Sequence, residues 1–240
     1  VAAVMGASAL NYHTWRNDND KLLQRLGDLR KNGGAEQGAW FRLKGTKLER
    51  DGKFSFSNKY TTYELGYDKI ISNADADYTR YIGAAFSYGD GDSDYTSGSG
   101  SNKNKAVGIY GTHIGNKGHY LDLVLKYSDL DNDFDVYDTE GKKISGDYSN
   151  KGIAFSAEYG RKNILKNGWY IEPQAQLTMG YLDGSSYRMN NNVSVDQSNI
   201  KSFLGRIGFN IGKDISAKTN IYLKANLLHE FGGDYHLSMT

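Results

Sequence analysis

From residue 38 onward, hydrophobic and polar residues alternate with a period of two. In "WYIEPQAQLTMGY" (169–181), Trp169, Ile171, Ala175, Leu177, Met179 and Tyr181 hold the odd positions. Glu172, Gln174, Gln176, Thr178 and Gly180 hold the even ones. A strand displays two such sets on opposite faces. Nine runs of this kind follow one another. Their apolar faces carry Phe41, Leu65, Phe86, Leu121, Leu123, Leu125, Phe155, Ile171, Leu177, Phe209 and Leu223. Their polar faces carry Arg42, Glu64, Asp68, Asp122, Lys126, Glu158, Glu172, Gln174, Gln176, Arg206 and Glu230. Pro173 falls on an apolar face, where its missing N–H predicts a bulge or a broken ladder bond.

Residues 1–34 read differently and form a separate region ahead of the strands (35–240). They are rich in Ala and Leu, and Leu22, Leu26 and Leu29 recur at helical spacing with Leu23 beside them. Asn17 or Asp18 can cap a final helical segment, and "KNGG" (31–34) stops it. The alternative placement for such a helix is against a soluble core.

The connections between strands are sorted by length. Four are long and polar, among them "GDSDYTSGSGSNKN" and "NDFDVYDTEGKKISGDYSNK"; the four between them are short, such as "SNADAD" and "GNKG". Long loops at one end and short turns at the other are the mark of an outer-membrane barrel. Strands of about 10 residues suit a tilted membrane strand better than the usual 5–6 of a soluble sheet. The charged face settles which side is which. A small soluble barrel fills its interior with apolar side chains, whereas here ionisable residues recur mid-strand. The apolar face is therefore expected to meet lipid and the charged face to line a hydrated lumen.

Composition changes this picture little. Hydrophobic residues make up 38 % of the 240, and mean hydropathy is −0.64. No apolar run reaches the roughly 18 residues of a membrane helix, but membrane strands alternate and average out polar. The 19 Tyr suit an interfacial aromatic girdle or a sugar-binding surface. A net charge of +1 gives no basic field for nucleic acid. With Cys 0 there is no disulfide framework. His13, His113, His119, His229 and His236 make no zinc pattern. The acidic stretches "GDGDSDY" and "SDLDNDFD" complete no EF-hand and read as solvated loops. "DYH" (234–236) is the only Asp/His pair on a predicted surface loop, which is thin support for a barrel hydrolase. No cofactor is implied. A soluble carbohydrate-binding module and an enzymatic barrel stand as the other readings.

An ordered set of segments carries a family likeness. "LQRLGDLR" (23–30), "GAWFRLKG" (38–45), "YELGYDK" (63–69), "GWYIEPQAQL" (168–177), "GRIGFNIGK" (205–213) and "LLHEFGGD" (227–234) together resemble the translocator domain of autotransporters, the type V secretion proteins. The resemblance implies an all-β, antiparallel transmembrane barrel of twelve strands in a bacterial outer membrane. A helical linker would run through its lumen to an upstream passenger delivered to the cell surface. Residues 1–34 would be that plug, with Arg16, Lys21, Arg25, Asp28 and Arg30 meeting lumen charges. The partners implied are outer-membrane lipid and lipopolysaccharide, the passenger, the barrel-assembly machinery and periplasmic chaperones. Some members cleave themselves at a linker Asn with acidic barrel residues nearby, for which Asn11, Asn17 and Asn19 are available here. The departure from the family is the strand count, nine against twelve, so the last strands are expected to be missing from this chain.

Overall fold

The computed structural model describes residues 1–19, 25, 26, 29, 37–52, 55–232 and 237–239. A helix, α1 (Ala2–Asp18), opens the chain. Strands β1 (Gly38–Arg50), β2 (Phe56–Ile70), β3 (Tyr78–Tyr95), β4 (Gly98–Gly115), β5 (His119–Tyr137) and β6 (Lys143–Arg161) follow. Then come β7 (Asn163–Ile164), β8 (Trp169–Leu182), β9 (Ser185–Arg188), β10 (Ser194–Gln197), β11 (Ile200–Ser216), β12 (Thr219–Glu230) and β13 (Leu237–Met239).

Nine long strands pair antiparallel in the order β1-β2-β3-β4-β5-β6-β8-β11-β12, matching the nine alternating runs. The sheet curls around α1, with β1 and β12 at its two edges. A second sheet, β13-β10-β9, caps one end. The other end carries the short turns before β3, β5, β8 and β12. Pro173 makes no bulge: it sits in continuous register opposite Phe209 of β11. The ladder with β6 stops one residue earlier, at Gly160–Gln174, and β7 resumes it at Ile171. The missing N–H thus ends one ladder and leaves the other intact.

Two expectations need correction. Asn17 and Asp18 are not caps of a final helical segment; they are the last two residues of α1. Arg25, Leu26 and Leu29 are also helical, while Lys21, Leu22, Leu23, Asp28 and Arg30 lie outside the described residues. The long polar connections, moreover, are largely strand. Only Thr96 and Ser97 separate β3 from β4, and Asp138–Lys142 separate β5 from β6.

The reason is a reversal of phase along each strand. On β5 the outward residues Leu121, Leu123, Leu125 and Tyr127 are exposed, while inward Asp122 and Lys126 are buried. Beyond Ser128 the outward positions become Asp129, Asp131, Asp133 and Asp135, and the inward ones Leu130, Asn132, Phe134 and Val136. The outward face has passed from an apolar surroundings to water, and the inward face has gained an apolar helix to cover. From His119 to Asp129 the chain climbs ten residues, which at about 3.3 Å per residue and a tilt of about 40° spans about 25 Å. A membrane barrel's apolar band is about 25 Å tall.

Four inward-facing aromatic rings lie over glycines directly across the ladder. They are Trp40 on Gly66, Tyr110 on Gly83, Tyr120 on Gly160 and Tyr170 on Gly212. A Cβ at any of these glycines would overlap its ring.

Candidate functional site: the lumen and its helix

The helix fills the concave side of the sheet. Its first half packs at the cap end, where Val4, Ala7 and Leu10 join Phe134, Val136, Tyr148, the loop residue Met189 and Val195 of β10. Arg25, Leu26 and Leu29 lie toward the turn end, the two leucines among Tyr81, Tyr110 and Val124. The chain therefore runs down the lumen from the capped end toward the turns.

Wall side chains hold the helix by its backbone. A helical C=O keeps a second lone pair after its own i→i+4 bond, and the wall uses it. Asn132 Nδ2 donates to Ala7 O at 2.9 Å, and the Tyr148 hydroxyl donates to the same oxygen. Gln197 Nε2 donates to Ser8 O at 2.8 Å. Asn11 answers in the other direction, donating to Leu130 O at 3.1 Å and Asn150 Oδ1 at 3.0 Å. Asn17 donates to the Tyr60 hydroxyl at 2.7 Å, which donates in turn to Asp18 Oδ1 at 2.9 Å. Lys126 Nζ donates to Asp18 O at 2.8 Å. Trp15, 1 % exposed, occupies a slot left by Gly152 and Gly180, where added Cβ atoms would come within 2.6 and 2.5 Å of its ring. The cap contributes Tyr187, whose hydroxyl lies 2.6 Å from Ser8 Oγ. Burial raises the pKa of that phenol above the ordinary tyrosine value, so it stays protonated.

At the turn end the helix is fixed by charge. Asp68, fully buried, accepts from Arg25 Nε at 2.8 Å and Nη2 at 3.1 Å. The Tyr110 hydroxyl also donates to Asp68 at 2.7 Å and accepts from Trp40 Nε1 at 2.8 Å. The Arg25 guanidinium sits 5.2 Å from the centre of the Trp40 ring. Both carboxylate oxygens of Asp68 thus have donors, which is what makes a buried ion pair tolerable.

Of the polar-face residues, Glu64, Asp68, Asp122, Lys126, Glu158 and Gln174 are buried on the inner wall. Arg42, Glu172, Gln176, Arg206 and Glu230 face the same way and are half-buried. Among the described residues Asp68 and Lys126 bond to the helical region, and Arg16 pairs with Glu230 at 3.1 Å. Arg206 instead ties wall to wall, pairing with Glu158 and donating to Gln176 at 2.8 Å and Gln174 at 3.3 Å. Phe41, Leu65, Phe86, Leu121, Leu123, Leu125, Phe155, Phe209 and Leu223 are exposed, and Ile171 and Leu177 are half-exposed. On the edge strand β12 both faces are exposed, so exposure does not mark Leu223 as facing outward. Sequence reasoning missed Tyr60, Asn132, Tyr148 and Asn150, which grip the helix. All four lie on the inward register of strand segments beyond the apolar band, in or beside stretches read as loop. Asn11 and Asn17 donate through their side-chain nitrogens to the wall and so help to anchor the helix.

A helix buried in a curled antiparallel sheet, apolar outside and polar inside, is the architecture the family comparisons also return. The autotransporter β-domain model matches residues 39–240. This chain belongs to the autotransporter β-domain family. Pertactin autotransporter of Bordetella parapertussis is 35 % identical over 239 residues, 97 % of this chain and 26 % of that protein. The chain thus spans about a quarter of the length of such a relative. The crystal structure of the β-domain of the Bordetella autotransporter BrkA is similar with a TM-score of 0.67 and 28 % identity, covering 84 % of this chain and 83 % of that one. The translocator domain of NalP from Neisseria meningitidis shares the fold at a TM-score of 0.66 and 12 % identity, covering 95 % and 83 %. The β-domain is an outer-membrane translocator, and the β-domains of its relatives are translocators rather than enzymes. Its turn end is periplasmic and its capped end extracellular, by the short-turn, long-overhang rule of such barrels.

Proposed function

We propose that residues 1–34 are the linker that joins the barrel to a passenger upstream, and that the passenger reaches the cell surface by way of the lumen this linker occupies. The observation that carries the reading is the direction of the helix. Its N-terminal half packs at the extracellular mouth and Arg25 lies near the periplasmic end, so anything preceding Val1 starts outside the cell. The inward polar residues are lumen lining that the linker engages at Asp68, Lys126 and Glu230. The outward apolar residues are the lipid contact, with lipopolysaccharide against the charged strand overhangs. Strands pairing with β12 and β1 close the sheet, because unpaired backbone in hydrocarbon costs several kcal/mol per group. Their insertion calls for the barrel-assembly machinery and periplasmic chaperones. The chain itself carries out no catalysis and takes no cofactor.

The test is surface accessibility in the full-length protein. An epitope placed immediately upstream of Val1 is expected to be protease-sensitive on intact cells. One placed in the turn 116–118 is expected to be reached only after the outer membrane is permeabilised. The opposite pattern overturns the proposed direction of transport.

A further inference from the structure

The outward apolar band ends at its periplasmic edge on a row of basic residues. On four adjacent strands Arg80, His113, His119 and Arg161 face outward at that edge, with Tyr78 two positions beyond Arg80 on the same face of β3. Register sets Arg80 opposite His113, and His119 opposite Arg161. Arg80 Nε donates to His113 Nδ1 at 3.0 Å, leaving Nε2 of that ring to face outward partners. Tyr78 stacks on His113 with centroids 5.1 Å apart, and the Arg80 guanidinium lies 4.4 Å from the centre of the Tyr78 ring. The His113 and His119 rings are 5.9 Å apart. His119 reaches that position because Gly115 has no side chain; a Cβ there would overlap the imidazole.

The opposite edge of the band is built differently. There the same strands bear Asp90, Lys105, Asp129 and Lys151 outward, alternating in sign from strand to strand. The two acids and two bases of that rim cancel in charge, whereas these strands carry no outward acid at the periplasmic rim; among the described residues no carboxylate pairs with Arg80 or Arg161, and Asp75 and Asp77 in the nearby turn pair with neither. Guanidinium groups at the edge of a hydrocarbon layer attract anionic headgroups, and planar forked donors match phosphate oxygens.

We propose that Arg80, His113, His119 and Arg161 form a binding site for the phosphate of an anionic phospholipid in the periplasmic leaflet, of the phosphatidylglycerol type. The proposal rests on the outer-membrane barrel reading. The two arginines supply the charge, the imidazoles supply ring N–H donors, and Tyr78 fixes the geometry. The full-length protein in detergent is offered equal phosphatidylglycerol and phosphatidylethanolamine, and retained lipids are counted by native mass spectrometry. Phosphatidylglycerol is expected to be preferred by roughly fivefold per arginine, following the usual basic-residue increment at an anionic membrane. Arg80→Gln with Arg161→Gln should abolish the preference. Arg80→Lys with Arg161→Lys should keep most of it, and Lys105→Gln with Lys151→Gln on the other rim should leave it unchanged. Equal retention of both lipids by the unaltered protein overturns the proposal, as does a preference that survives the double glutamine variant. Displacement by millimolar inorganic phosphate would assign the site to free anions and also overturn it. Retention of no phospholipid at all, with solubility in plain buffer, would instead sink the barrel reading beneath it.

Discussion

Removing the Asp68 carboxylate should release the periplasmic end of the linker. Asp68 is fully buried and receives two bonds from Arg25 and one from Tyr110. With Asp68→Ala the Arg25 guanidinium of the linker is left buried against the wall without that counter-ion, and breaking one side of such a pair costs about 3–5 kcal/mol. At about 1.36 kcal/mol per tenfold change, the docked state of this segment loses between roughly 150-fold and several thousandfold in its local equilibrium. Amide hydrogen exchange reads this directly, at Leu26 and Leu29, in the folded barrel. Exchange there should accelerate by that factor, while amides around Ala7 and Asn11, held by Asn132 and Gln197, should change little. Replacing both partners, Arg25→Met with Asp68→Leu, should return most of the protection, since apolar replacement of a buried pair is often neutral. Exchange in Asp68→Ala within threefold of the unaltered protein would refute the reasoning. So would a double variant that exchanges as fast as the single one.

Four further outcomes follow from the same geometry. Gly180→Leu should push Trp15 out of its slot, an overpacking cost of at least about 1–3 kcal/mol, seen as a red shift and increased quenching of the Trp15 fluorescence. Leu123→Arg, in the middle of the apolar band, should destabilise the barrel in lipid by about 2–4 kcal/mol, whereas Asp131→Arg on the overhang should stay near zero; urea titration in bilayers separates them. Tyr187→Phe removes the contact with Ser8 and should weaken the cap by about 0.5–1.5 kcal/mol, visible as faster exchange around Ser8. Because burial raises the Tyr187 pKa, ionisation is expected to disfavour the docked cap. Its folded pKa exceeds the unfolded one, so the contribution is constant below about pH 10 and falls as pH rises above it; a pH series of the same exchange measurement checks this.

The membrane-spanning part of the fold is legible in the sequence because one rule governs it. Between Leu121 and Tyr127 every outward residue is apolar and every inward one can be polar. The overhang resembles loop in sequence because the same period continues with its sense inverted. In "SDLDNDFDV" the apolar residues Leu130, Phe134 and Val136 are spaced for a strand, but acidic residues between them look like a solvated linker when the water is assumed to lie on both sides. What fixes the conformation is the helix inside, and its contacts join residues more than a hundred positions apart, such as Ala7 and Asn132. No local pattern carries that. The lumen charges were recognisable as a set, but their partners were not. Nothing in the spacing distinguishes Asp68, which holds the linker, from Glu158, which is paired with Arg206 of the wall.

The four rings lying over glycines bear on how strand alignment is decided. Each belongs to a pair of strands joined at the extracellular end: β1 with β2, β3 with β4, β5 with β6, and β8 with β11. Those two strands meet their partners far from the connection, after as many as 19 residues, and a one-place error anywhere would turn lipid-facing leucines inward. A bulky ring that fits only where a hydrogen replaces a side chain rejects neighbouring alignments at the periplasmic end, where the connection exerts no control. Every such pair can therefore count its own positions before its neighbours arrive, and the stagger of the finished wall is the sum of decisions already taken two strands at a time.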